Sequence, residues 1–113
     1  MADRIVDVSK VSEFTMDGYP GQYLRNIVAK DDELGFGLHY VRIAEGHSLP
    51  EHTHDGIEVV YILSGTADGM MDGEVTPVGA DTALVVPKEA NHSLVNTGRG
   101  DLLLLAFFYP PLL

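Results

Sequence analysis

The chain has 113 residues, 45% of them apolar, which is enough for one folded core and too few for two. Seven Lys and Arg stand against seventeen Asp and Glu, and a formal charge of -10 repels phosphate backbones and anionic membranes, which argues against a nucleic-acid partner. With no cysteine there is neither a disulfide framework nor a thiolate ligand or nucleophile.

The opening MADRIVDVSK lacks the apolar stretch and cleavage site of a secretory signal. The most apolar segment, 102–113, falls well short of the roughly 20 residues of a membrane-spanning helix. A cytoplasmic protein without a membrane partner is the expectation.

From there the chain alternates short apolar runs with Gly- and Pro-bearing turns, and no window carries a helical period. Strands are predicted over 23–28, 36–43, 52–54, 57–63, 66–71, 74–77, 82–86, 92–96 and 102–108. Asp55-Gly56 and Asp72-Gly73 read as hairpin turns, because both turn positions favour positive φ. Many short strands in one small domain, 1–113, predict an all-β sandwich or barrel.

Within 36–43, His39, Val41 and Ile43 share one face while Leu38, Tyr40 and Arg42 share the other. Burying an unpaired Arg costs several kcal/mol, so the His39 face points inward. Residues 102–108 are apolar on both faces, as in a strand covered on both sides. The outer cover is a second sheet layer or another subunit, and a homodimer is the expectation. Asp31, Asp32 and Glu33 read as a solvated loop, and His47 as a solvated loop residue. Met70 and Met71 are adjacent and face opposite ways, so they form no ligand pair.

The chemistry gathers around EHTHDGIE. His52 and His54 lie on one face of an extended chain, and Glu58 enters from the strand that follows. Val60 and Ile62 share the parity of Glu58, so its face is otherwise apolar. A carboxylate buried there without a partner would be driven neutral or disrupt the core. A divalent cation is such a partner. His92 opens another strand after a Pro-bearing turn.

These residues resemble the cupin family. Its first motif is a glycine, five residues, His-x-His, three or four residues, Glu, six residues and a glycine; here Gly46, His52, His54, Glu58 and Gly65 hold every interval. Of the second motif, Pro87, His92 and Asn96 stand in place, while Asp81 and Glu89 occupy two glycine slots. Those slots are turn positions, so the departure puts local loop shape in doubt and not the ligand.

The resemblance implies a double-stranded β-helix, or jelly-roll cupin barrel, with a metal-binding core about 36–108. It further implies one divalent transition metal (Fe, Mn, Ni, Co, Cu or Zn) held by His52, His54, Glu58 and His92. Four protein ligands in an octahedral ion leave two positions for substrate, water or oxygen, whereas four-coordinate Zn would be closed. Val41, Val60, Ile62, Leu94, Ala106 and Phe108 are the expected apolar pocket around a small-molecule substrate. His39, on the inward face, is the candidate catalytic residue. The expected activity is that of an oxygenase of dioxygenase type, a metal-dependent oxidoreductase. A redox-neutral isomerase, cyclase or lyase, and a ligand-binding or sensory protein without turnover, stand as alternatives.

Overall fold

A computed structural model of the protein describes residues 4–113. Nine strands run in chain order: β1 (Gln22–Val28), β2 (Gly37–Ile43), β3 (Ser48–His52), β4 (Ile57–Ser64), β5 (Thr66–Met71), β6 (Glu74–Gly79), β7 (Ala83–Val86), β8 (His92–Asn96) and β9 (Leu102–Tyr109). Two short 3-10 turns, Val8–Lys10 and Lys30–Asp32, are the helical segments among the described residues. None of the helices among them is long and apolar enough to cross a membrane.

The strands form two antiparallel sheets, ordered β1-β2-β9-β4-β7 and β3-β8-β5-β6, in the jelly-roll arrangement of a cupin barrel. Ile43, Ile62, Leu94, Leu102, Leu104 and Val86 meet between the sheets, each nearly or fully buried. Fully burying one such side chain contributes roughly 1.5–3 kcal/mol.

Alternation in β2 resolves as the Arg42 argument requires. Gly37, His39, Val41 and Ile43 are buried, while Leu38, Tyr40 and Arg42 lie on the outer face. Arg42 is held outside by Glu13 at 3.1 Å and Asp101 at 3.4 Å, and its guanidinium stacks 4.0 Å over the Tyr23 ring.

Three local expectations are corrected. The strand predicted at 52–54 instead runs Ser48–His52 and leaves His54 in the following turn. Pro50 is tolerated there because β3 is the edge of its sheet. Asp72 (φ 48°) and Gly73 (φ 86°) form the predicted hairpin turn between β5 and β6, but Asp55-Gly56 does not form one. It carries the chain from one sheet to the other, and Gly56 is required there because an added Cβ would lie 2.7 Å from the Tyr109 carbonyl oxygen. In the predicted solvated loop, Asp32 is tied down by Arg4 at 2.7 Å and by the Ala29 N–H at 2.9 Å.

Candidate metal centre

Four side chains converge at one end of the barrel. Glu58 points inward from β4 and is 2% exposed; His52 ends β3, His54 follows in the turn, and His92 opens β8 beside His52. One ligand atom from each lies within 4.8 Å of the others. Glu58 Oε1 stands 3.1 Å from His54 Nε2 and 2.9 Å from His92 Nε2.

The outer nitrogens explain the aim of the rings. His52 Nδ1–H donates to the Pro50 carbonyl at 2.8 Å, His54 Nδ1–H to Gly56 at 3.0 Å, and His92 Nδ1–H to Ala90 at 3.0 Å. A carbonyl only accepts, so each Nδ1 carries its proton and each Nε2 is left with a lone pair. Two of those lone pairs face the Glu58 carboxylate, acceptor against acceptor. Only a positive species between them, a proton or a metal ion, makes the arrangement favourable. Metal–ligand bonds of about 2.1 Å place neighbouring donors of an octahedron about 3.0 Å apart and opposite donors about 4.2 Å apart. The contacts at 2.9 and 3.1 Å match neighbouring donors, and the 4.8 Å outer limit closes to an opposite pair with a small inward shift. The donor set therefore fits a divalent transition ion.

Protonation follows the same geometry. Burial pushes the His52 imidazole below its usual range, against the pull of its Pro50 hydrogen bond. Burial is the largest single influence on His92 and acts downward, but the hydrogen bonds to Glu58 and Ala90 and the nearby Glu58 and Asp72 charges together outweigh it, and the net direction is up. The uncompensated carboxylate draws a proton that a bound cation would replace.

A cavity of about 270 Å³ opens from this cluster. Of the residues expected to line it, Val41, Val60, Ala106 and Phe108 do. Ile62 and Leu94 do not: they are 0% and 1% exposed and belong to the packed core beyond the cavity wall. His39 points inward as expected but stays off the cavity wall, 0% exposed. Its Nδ1 pairs with Asn26 Oδ1 at 2.8 Å and its Nε2 has no hydrogen-bond partner. Burial pushes the His39 imidazole down, so it stays neutral; the role of a catalytic group touching substrate is not supported by this placement. His47 is exposed, as expected.

Sequence reasoning missed Gln22, Tyr19, Thr53, Leu24, Leu49 and Leu113, which also border the cavity. Parity on β1 could have found Gln22 and Leu24, which share an inward face. Tyr19, Thr53 and Leu113 come from loops and carry no periodic signal. Besides His52, His54 and Glu58, Tyr19 is the one titratable side chain among the described residues on the cavity wall, and no Lys or Arg lies there; His92 stands behind the wall.

The family profile described as "Cupin domain" matches residues 39–108. The chain is similar to L-ectoine synthase of Vibrio campbellii, with 28% identity over 87 residues covering 76% of this chain and 68% of that protein. It is similar to polyketide synthase CurC of Streptomyces cyaneus, with 32% identity over 100 residues covering 87% and 64%. The chain thus spans about two thirds of the length of these curated relatives. Its fold matches the solved polyketide cyclase RemF of Streptomyces resistomycificus at a TM-score of 0.83 and 21% identity, over 96% of this chain and 80% of that one. These relatives overturn the expectation of an oxygenase. A synthase of ectoine, a polyketide synthase and a polyketide cyclase are not oxidoreductases. The ligand set could not have made this choice, because two open metal positions serve Lewis-acid chemistry as well as oxygen chemistry.

Proposed function

We propose, from the premise that this chain belongs to the cupin family, that it is a metal-dependent, redox-neutral cyclase or lyase acting on a small uncharged carbonyl compound. One observation carries this reading: His52, His54 and Glu58 line the cavity, His92 completes their cluster from behind, and no other charged side chain among the described residues lies on the wall. A divalent ion held by His52, His54, Glu58 and His92 would supply Lewis acidity to a substrate carbonyl. Glu58 offsets part of the ion's charge while the three histidines remain neutral, so the site keeps a net single positive charge suited to an enolate. Val60, Ala106, Phe108 and Leu104 exclude water and hold the carbon skeleton by shape. Tyr19, the titratable wall residue outside the cluster, is the candidate to exchange a proton with substrate.

Between the two kinds of relative, the wall favours a polyketide-like carbon chain. With the metal taken up by the reacting carbonyl, a zwitterionic amino-acid derivative would need a second cationic partner for its carboxylate, and the wall offers no Lys or Arg. The test is mass analysis of products from a linear poly-β-ketone with metal-loaded protein, with dissolved oxygen recorded. A product of equal mass, or one lighter by one water or by a fragment, with no oxygen uptake supports the reading. Oxygen consumed in proportion to product, or tight binding with no product, overturns it.

A further inference from the structure

The end of the cavity remote from the cluster carries one buried amide. Gln22 opens β1, is 2% exposed, and borders the cavity beside Leu24, the next residue on the same face. The register shows how far it lies from Glu58. Gln22 pairs with Ile43 at one end of β2, and Gly37, at the other end, pairs with Phe108, which pairs with Glu58. Six residue steps along β2 are about 20 Å of backbone. Between the two ends the wall is built from Leu24, Val41, Leu104, Ala106 and Val60. The cavity is therefore an apolar slot with a polar group at each end.

The orientation of the amide is set by its one protein partner. Gln22 Nε2 donates to the Ser48 carbonyl at 3.2 Å. A carbonyl cannot donate, so the nitrogen must take that side and Oε1 the other. Among the described residues nothing donates to Oε1, and it is not among the enclosed atoms lacking a partner. Oε1 is therefore not sealed within the protein, and it belongs to a residue that borders the cavity. An accessible acceptor with no protein donor can take a hydrogen bond from a ligand, whereas a methionine of similar length would line this wall and offer none.

We propose that Gln22 is the distal recognition group of the cavity: its side-chain oxygen receives a hydrogen bond from a hydroxyl or N–H at the far end of a substrate whose carbonyl end lies at the His52–His54–Glu58–His92 cluster. The substrate class is then an extended, mostly apolar carbonyl compound with a hydrogen-bond donor remote from the reacting group. This rests on the reading of the cavity as the reaction chamber.

The experiment is calorimetric binding of two 1,3-diketones to Ni(II)-loaded protein. Both carry the same unbranched tail, one ending in methyl and one in hydroxyl, with tail lengths stepped across the slot. In the wild type the hydroxyl should tighten binding about three- to tenfold at one matching length, the range for a neutral hydrogen bond. Gln22→Met should abolish that increment and leave the methyl-ended ligand bound as before. A purely structural role for the amide, stapling β1 to Ser48, predicts instead that Gln22→Met weakens both ligands equally. Equal weakening, no increment in the wild type, or an increment that survives the substitution each overturns the proposal while leaving the proposed function standing. If the methyl-ended diketone fails to bind at all, both fall together.

Discussion

Glu89 occupies a motif slot that a glycine usually fills, and its backbone is left-handed at φ 61°. An L-residue pays about 1–2 kcal/mol to sit there. Its carboxylate makes no hydrogen bond or ion pair among the described residues, while its N–H donates to the His54 carbonyl at 2.9 Å. Replacing Glu89 by Gly keeps that N–H and removes the Cβ, against a loss of about 0.5–1 kcal/mol from the greater unfolded freedom of glycine. The net gain is about 0.5–1 kcal/mol. At about 2.1 cal/mol/K per residue, 113 residues unfold with an entropy near 240 cal/mol/K, so Tm should rise by about 2–4 °C. The reciprocal change is Gly46→Ala. Gly46 has φ 77° with nothing within 4 Å of an added Cβ, so strain alone should lower Tm by a similar amount. Scanning calorimetry on the metal-free protein reads both, and metal stoichiometry should be unchanged in Glu89→Gly. A lower Tm for Glu89→Gly, or no loss for Gly46→Ala, would refute the strain reasoning.

Metal affinity should fall by at least tenfold per pH unit below about pH 6.5, because all three imidazoles must be neutral to bind; chelator competition at pH 5.5 and 7.5 checks this, and equal affinities would count against the assigned ligands. Glu58→Gln removes the one anionic donor, so bound metal after dialysis should drop from one per chain to a small fraction by elemental analysis. His39 is held neutral by burial, so its folded value lies below the unfolded 6.5: stability is full above that pH and declines as pH falls below it. In the metal-free protein, His39→Leu should narrow the difference in urea midpoint between pH 7.5 and pH 5; an undiminished difference would assign the acid sensitivity elsewhere. The outer face of β9, with Leu103, Leu105 and Phe107 half-buried, is expected to pair with a second copy. Sedimentation should give a dimer that Leu105→Glu returns to monomer, and a wild-type monomer at micromolar concentration would remove the interface.

How much was legible follows from what each signal encodes. Spacing carried the cluster, since His52, His54, Glu58 and His92 are named by intervals and the barrel then brings them within reach. Parity carried the inward face of β2, because Arg42 cannot be buried without partners. Parity says which face a residue takes and not how deep along the barrel it lies. That is why Ile62 and Leu94 were assigned to the pocket wall when they belong to the packed core, while Gln22, on an equally inward position, was overlooked. Asp81 and Glu89 were marked as turn positions by the absent glycines, and both have positive φ, at 63° and 61°. The conflict between the two Asp-Gly pairs was not readable: the same dipeptide turns a hairpin at 72–73 and crosses between sheets at 55–56, and strand pairing decides which.

Each histidine of the cluster is leashed to a carbonyl two positions away along its own chain: Pro50, Gly56 and Ala90. The direction of every ring is thus inherited from a three-residue span of backbone, not negotiated among distant parts of the barrel. An arriving ion would meet rings already aimed. Metal uptake would then be exchange at a standing socket.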